Sequence, residues 1–241
     1  MKKFLSMAVL CAGIMGSANA VVLMSEDFDA MTVGSPLAGN SGFDPFSDAP
    51  FYVSNLRSVS GANSARIDSS VAGSRWAWKN LAPGAGTTGP NRIVIASADI
   101  YIESEENARD TLTGLDAYNS AVNRIAAVRI SRDTGVVSLG IGTFTATNLV
   151  ALMDRWNKLE LVMNFNTGTA TAVLNGVASA NSVTISTANA VADVDLYAVR
   201  NTGATSASHY DNYMVQAVPE PATMTALALG LAAIARRRKV A

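Results

Sequence analysis

Residues 156–176 read WNKLELVMNFNTGTATAVLNG, and this stretch decides the fold class. Its apolar residues alternate with polar ones, the period of a strand that has one buried face. The apolar set is Leu159, Leu161, Met163 and Phe165. The turn Asn166-Thr167-Gly168 leads into a second alternating run over 169–174, and Asn175-Gly176 then gives a strong tight-hairpin signal, because both residues tolerate positive φ. The stretch predicts consecutive antiparallel strands.

The same period-two pattern recurs through the middle of the chain. It is clearest over 94–102, where Val94, Ala96, Ala98, Ile100 and Ile102 are predicted to face inward. Further strands are predicted near 51–56, 75–79, 124–130, 193–200 and 209–216, with a turn at Asp133-Thr134-Gly135. About ten antiparallel strands indicate an all-β sandwich. One stretch, 148–154, is predicted to be a short helix capped by Asn148.

Composition restricts what the body of the protein can do. The 241 residues divide into a leader over 1–20, one β-sandwich domain over 21–217 and a terminal segment over 218–241. The single cysteine, Cys11, lies in the leader, so the mature domain is expected to have no disulfide. Six of the eighteen Lys and Arg residues lie at the two ends, which leaves an acidic body. Nucleic acid is therefore excluded as a partner, since it requires clustered cations.

The N-terminus has the three parts of a secretion signal. It begins Met1-Lys2-Lys3, continues as an apolar run over 4–16 and reaches Ala18-Asn19-Ala20, the small-x-small pattern that signal peptidase cleaves. Cleavage after Ala20 is expected. An N-terminal core helix is the alternative, but the apolar run is unbroken rather than amphipathic. A lipoprotein anchor at Cys11 is rejected, because a large residue, Leu10, precedes it.

The C-terminus also has three parts. Val218-Pro219-Glu220-Pro221 precedes an apolar stretch over 224–235, and Arg236-Arg237-Arg238-Lys239 follows. The two prolines keep the first part extended. A helix over 222–235 would measure about 21 Å, short of the roughly 30 Å hydrocarbon layer, and the basic residues after it would stay in the cytoplasm.

This order of motif, apolar helix and basic tail resembles the PEP-CTERM sorting signal of Gram-negative bacteria. The resemblance implies that an exosortase recognises the Pro-Glu-Pro region after the helix has anchored the chain transiently in the membrane. It implies delivery across the inner membrane to the cell surface or extracellular matrix. The alternatives are a permanent anchor, for which the helix is short, and an amphipathic core helix, for which it lacks polar residues.

The body resembles the concanavalin A-like jelly roll of lectins and carbohydrate-binding modules. The opening Glu26-Asp27-Phe28-Asp29, the hairpin over 156–176 and the closing run 210–215 carry this resemblance. It implies that the last strand pairs beside the first. It also implies a structural calcium ion, for which the matching positions are Glu26, Asp27 and Asp211; the alternative is that these acids are solvated residues at a strand edge.

Trp76 and Trp78 are the candidate carbohydrate-binding residues. They lie two apart, so on a strand they face the same side and would form a platform on which sugar rings stack. Burial in the core is the alternative, and it is the commoner place for Trp. The aromatic residues of the preceding loop are expected to cap the core: Phe43, Phe46, Phe51 and Tyr52.

Residues that would support catalysis are scarce. Retaining glycosidases on this fold use a Glu-x-Asp-x-(x)-Glu strand, whereas the run Glu103-Ser104-Glu105-Glu106 lacks the aspartate and the spacing. His209 is the only histidine, which rules out a zinc site built from histidines. We therefore expect a non-catalytic surface or matrix protein that binds extracellular polysaccharide. The alternatives are a polysaccharide hydrolase or lyase on the same fold, and a structural module that self-associates.

Overall fold

The computed structural model describes residues 20–48, 51–67, 73–85, 92–104, 111–200 and 206–218. Within these ranges the chain forms fourteen β-strands. They are β1 (Val21–Glu26), β2 (Phe51–Ser54), β3 (Ser64–Ile67), β4 (Gly73–Ala85), β5 (Ile93–Ile102), β6 (Leu112–Tyr118), β7 (Arg124–Ser131), β8 (Val136–Gly140), β9 (Phe144–Val150), β10 (Trp156–Asn164), β11 (Thr169–Leu174), β12 (Val177–Thr184), β13 (Val191–Arg200) and β14 (Ser208–Val218). The all-β prediction is confirmed.

The strands form two antiparallel sheets. One sheet has eight strands, in the order β12-β11-β10-β5-β14-β3-β2, with β1 also paired to β14. The other has six, in the order β4-β13-β6-β7-β8-β9. The inward faces of both sheets contribute to one buried apolar cluster, so each sheet has one face in the core and one face outside it.

The segment that decided the fold class behaves as predicted. The side chains of Leu159, Leu161 and Met163 are buried, and β10 pairs with β11 in continuous register from Leu159 opposite Leu174 to Asn164 opposite Thr169. Asn175 and Gly176 both have positive φ, 50° and 82°, as the tight turn requires. The first and last strands, β1 and β14, are neighbours, as the jelly-roll resemblance implied.

Two expectations differ from the structure. The sheets contain more strands than the ten or so predicted, because β3, β6, β8, β9 and β12 gave no clear alternation. The predicted helix over 148–154 is wrong: β9 continues through Asn148 to Val150. The Asn148 side chain caps no helix, because its Oδ1 accepts a hydrogen bond from the backbone N–H of Ala180 in β12, at 2.8 Å.

A buried ion pair joins the two sheets at one edge. Lys79 of β4 donates to Glu26 of β1 at 2.5 Å, and both side chains are almost fully buried. The burial of the β4 side chains around this pair shows which of them face inward. Lys79 shares the inward face with Ala77, and the residues that alternate with them lie on the outer face.

Most of the two sorting segments lies outside the described residues. Ala18, the Pro219-Glu220-Pro221 motif and the predicted apolar helix are all in the parts that are not described. Ala20 is exposed immediately before β1, and Val218 is the last residue of β14. In the part of the chain that the structure describes, no helix is long and apolar enough to cross a membrane.

Candidate functional site

The outer face of the six-stranded sheet carries the two candidate tryptophans. Trp76 and Trp78 are half-buried, whereas Ala77 between them is fully buried in the core. Neither Trp belongs to the buried core cluster. The two rings are therefore not buried in the core. Both lie outside the sandwich, on the same side of β4, as a stacking platform requires.

These two rings line a groove of about 870 Å³. Its other walls come from the loop before β2, from the turn between β6 and β7 and from the outward side chains of β13. This volume is within the range of small-molecule sites in proteins, roughly 300–1,000 Å³. Apolar surface predominates among its lining atoms. We call this feature the tryptophan groove.

The loop over 43–48 fixes the backbone of the platform. Asp48 N–H donates to the carbonyl of Trp76 at 2.8 Å, and the Asp48 carboxylate accepts from Trp76 N–H at 2.7 Å. Asp44 N–H donates to the carbonyl of Trp78 at 2.9 Å, and Ser47 Oγ accepts from Trp78 N–H at 3.2 Å. The loop therefore satisfies the free edge of β4 and holds both tryptophans in place.

Two exposed apolar side chains stand at the rims of the groove. Phe46, at the tip of the 43–48 loop, is 85% exposed and does not cap the core as expected. Val122, in the turn between β6 and β7, is 81% exposed with φ at 59°. Positive φ is unusual for a β-branched residue, and the turn is held by Asn119, whose Oδ1 accepts from the N–H groups of Ala121 and Asn123.

Two carboxyl groups lie in the groove beside the tryptophans. Asp193 and Asp195 alternate with buried Val194 on β13, and Asp195 is the direct partner of Trp78 across the strand pair. Asp195 is only 6% exposed, and its Oδ1 accepts no hydrogen bond. Burial raises the pKa of Asp195 well above its usual range, and the neighbouring charge of Asp193 raises it further. Burial likewise raises the pKa of Asp193.

A buried charge network supports this face from β6 and β7. Asp116, with no exposed surface, accepts from Arg129 Nη2 at 2.6 Å and from Arg124 Nε at 3.1 Å. The Arg129 guanidinium lies 3.7 Å from the centre of the Tyr197 ring, and that ring packs against Trp76 with 5.5 Å between centroids. The network therefore positions Tyr197, which in turn supports one ring of the platform.

The three predicted calcium ligands each accept hydrogen bonds from donors within the protein. Among the described residues there is no cluster of three or more acidic, histidine or cysteine side chains that could hold a metal ion. Lys79 neutralises Glu26, and Ser41 Oγ donates to the same carboxylate at 2.7 Å. Burial raises the pKa of Glu26, but these hydrogen bonds outweigh it and the pKa is lowered. Asp27 lies at the end of the same strand and accepts from the N–H of Asp29.

The Asp211 carboxylate accepts its hydrogen bonds from backbone N–H groups. Its Oδ2 accepts from the N–H groups of Val59 and Ser60, at 2.7 and 3.1 Å, and its Oδ1 accepts from the N–H of Asn212. Burial raises the pKa of Asp211 in spite of these bonds. Both oxygens of Glu26 and of Asp211 thus accept hydrogen bonds from the protein, whereas exposed Asp27 accepts one at Oδ1. These hydrogen bonds would compete with a shared calcium ion, and calcium binding by these three residues stays a prediction.

The acidic run and the histidine considered for catalysis lie at the eight-stranded sheet, away from the tryptophan groove. Glu103 accepts from the N–H of Ala207 and lies 3.5 Å from Nε2 of His209, while Glu105 and Glu106 are outside the described residues. Ser64 Oγ is 3.5 Å from Nδ1 of His209. Ser64 and His209 have no exposed surface, and burial lowers the pKa of His209 to about 4. The arrangement is buried packing that no substrate reaches.

The sequence interpretation missed Asp193, Asp195 and Val122, and it placed Phe46 against the core instead of at the rim of the groove. The signal was present at 193–195, where two acids alternate with one apolar residue inside a predicted strand. Such a pattern indicates two carboxyl groups on one face of a sheet. Nothing in the sequence indicates that this face is the one that carries Trp76 and Trp78.

Comparison with known proteins adds the sorting signal and the fold. Residues 217–239 carry the PEP-CTERM protein-sorting motif. The prediction made from the C-terminal residues is confirmed, and the motif indicates an exported protein that is sorted to the cell surface or extracellular matrix. A search of curated protein sequences found no significant match.

Several solved structures have a similar fold. The conserved carbohydrate esterase of the Shiga toxin-encoding bacteriophage phi24B matches with a TM-score of 0.61 and 14% identity, over 83% of this chain and 100% of that one. The CBM2 module of the Lactobacillus casei BL23 phage J-1 evolved Dit has a TM-score of 0.56 and 10% identity, over 83% and 97% of the two chains. A sialidase matches with a TM-score of 0.56 and 12% identity, over 82% of this chain but only 18% of the sialidase chain. The sandwich is therefore of the jelly-roll type.

Proposed function

We propose that this is an exported, exosortase-processed surface or matrix protein whose β-sandwich binds polysaccharide in the tryptophan groove without cleaving it. The observation that carries the proposal is the position of Trp76 and Trp78. Both rings lie outside the core, two positions apart on one strand, in a groove of about 870 Å³. Sugar rings have apolar faces that pack on aromatic rings, and polar edges that need hydrogen-bonding groups nearby.

The fixed backbone of Trp76 and Trp78 favours ligand binding. Four hydrogen bonds from the 43–48 loop fix the β4 edge under the two tryptophans. A platform that is already ordered loses little conformational entropy when a ligand stacks on it. The exposed side chains of Phe46 and Val122 add apolar surface on either side, which a chain of sugar units would cover.

The arrangement of the two acids favours binding over hydrolysis. Asp193 and Asp195 lie two residues apart on one face of β13, and Asp195 is only 6% exposed. A retaining glycosidase needs its two carboxyl groups about 5 Å apart around the anomeric carbon, and an inverting one needs roughly 6.5–9.5 Å. Because Asp195 is almost fully buried, it is poorly placed to flank a sugar carbon that lies in the open groove. Their oxygen atoms can still accept hydrogen bonds from sugar hydroxyls.

The route to the surface follows from both ends of the chain. The leader would be removed after Ala20, and the segment over 222–235 would hold the protein in the membrane until the exosortase acts. Because β14 ends at Val218, cleavage in the Pro219-Glu220-Pro221 region would leave every strand of the sandwich intact. The folded domain would then be released from its anchor unchanged.

A glycan array tests the binding activity. The exported protein is expected to bind a subset of polysaccharides and to release no reducing ends or unsaturated products from them. Absence of binding across the array would contradict the proposal, and so would turnover of a bound polymer. Formation of large assemblies in the absence of glycan, measured by light scattering, would favour the self-associating alternative.

A truncation tests the sorting route. The variant that ends at Val218 keeps the whole of β14 and removes the motif, the apolar segment and the basic tail. It is expected to be secreted without surface attachment, and mass spectrometry of the full-length product should find a new C-terminus near Pro219-Glu220-Pro221. Surface delivery unchanged by the truncation would refute the route.

A further inference from the structure

The charges that line the tryptophan groove are unevenly distributed. Three of the lining side chains are carboxylic acids, Asp48, Asp193 and Asp195. Among the lining residues that the structure describes, Arg75 is the one with a cationic side chain. The cations of the adjoining network, Arg124 and Arg129, hydrogen-bond to buried Asp116 instead. An anionic ligand would therefore meet more acidic than cationic side chains along the groove.

Two buried polar atoms at the groove have no hydrogen-bond partner. Oδ1 of Asp195 is one, and Nε1 of Trp76 is the other. Such atoms are rare in folded proteins, because each costs free energy until it is paired. Trp76 and Asp195 are neighbours on paired strands, since Asp195 lies opposite Trp78. A hydroxyl group suits both kinds of atom, because it donates one hydrogen bond and accepts others.

We propose that the groove selects uncharged polysaccharide and discriminates against polymers that carry carboxylate or sulfate groups. This inference rests on the proposed binding function and adds the substrate class to it. Stacking on Trp76 and Trp78 is indifferent to charge, so the selection comes from the acids. Asp195 accepts a hydrogen bond from a sugar hydroxyl or donates one to it. Asp193, on the same face of β13, repels an anionic substituent. Like-charge contacts at an interface strongly suppress the wrong partners.

The test compares matched neutral and anionic oligosaccharides by isothermal titration calorimetry with the exported protein. The neutral probes are cellohexaose and laminarihexaose, and the anionic probes are hexamers of galacturonate and mannuronate. The expected result is binding of a neutral probe at least about 100-fold tighter than any anionic one. Equal or tighter binding of a uronate would overturn the selection while leaving the binding function intact. Failure of every probe and of the glycan array would instead overturn the binding function.

Variants test whether the acids cause the discrimination. In the double variant Asp193→Asn/Asp195→Asn, the ratio of neutral to anionic affinity is expected to fall at least about tenfold, because the repulsion is gone. The control Asp133→Asn removes one negative charge from an exposed turn between β7 and β8, and its ratio should stay that of the wild type. A ratio unchanged in the double variant would contradict the assignment. A chitosan hexamer that binds better than every neutral probe would also contradict it, because the site would then select ammonium groups.

Discussion

Asp116→Asn tests the charge network that supports the tryptophan groove. Asp116 has no exposed surface and receives hydrogen bonds from two guanidinium groups, those of Arg129 and Arg124. The amide keeps the size of the side chain, so no cavity forms, but it leaves the almost fully buried Arg129 without a counter-charge. Removing one partner of a buried ion pair costs about 3–5 kcal/mol of stability.

Urea unfolding of the exported protein measures this loss. With a slope of about 2–3 kcal/mol per molar, the midpoint should fall by roughly 1–2 M while the slope is unchanged. Two controls set the scale. Arg124→Gln removes the partly exposed partner and should cost less, and Asp133→Asn at an exposed turn should change stability by less than about 0.5 kcal/mol. A loss below about 1 kcal/mol for Asp116→Asn would refute the network as a structural support.

Three further predictions concern the sandwich. Burial lowers the pKa of His209 to about 4, so the unfolded state binds more protons than the folded state between pH 6.5 and 4. The free energy of unfolding should therefore fall by about 3 kcal/mol as the pH is lowered across that window, and level off below it. Urea unfolding at each pH measures this change, and His209→Gln should flatten the resulting curve. Gly114→Ala should lower the melting temperature by several degrees, because a Cβ there would overlap the carbonyl oxygen of Val128, whereas Gly142→Ala meets no atom and should not. Calcium should leave the melting temperature unchanged, because Lys79 and backbone N–H groups already bond to Glu26 and Asp211. A rise of several degrees with calcium would contradict this expectation.

The strands that could be predicted are those in which apolar residues alternate with polar ones. In β5 and β10 every second residue is a core residue, so the pattern alone identifies both the strand and its inward face. In β12 the sequence VASANSVT has few large apolar residues, and β6 contains Asp116 on a strand that is buried on both faces. Tertiary contacts determine those strands, so a search for alternating hydrophobic residues cannot predict them.

The inward face of β4 could not be predicted for a similar reason. Hydrophobicity would place Trp76 and Trp78 inside and Lys79 outside, since a lysine is rarely buried. The structure has the opposite arrangement, because Glu26 on the other sheet neutralises Lys79. This ion pair between residues 53 positions apart stabilises Lys79 on the inward face, and Trp76 and Trp78, which alternate with it, face outward. A single sequence contains no local signal of that pairing.

The most direct measurement of the proposed binding is the affinity of Trp76→Ala and Trp78→Ala variants for a polysaccharide that the intact protein binds. The matched control is Trp156→Ala, which removes a half-buried tryptophan that packs on Tyr101 of the eight-stranded sheet. Each groove variant should bind at least about tenfold more weakly, since a lost aromatic contact is worth roughly 1.5–3 kcal/mol, and thermal melts should verify that all three variants are folded. The control should bind like the wild type. Wild-type affinity in the two groove variants, or an equal loss in the control, would contradict the assignment of the tryptophan groove as the binding site.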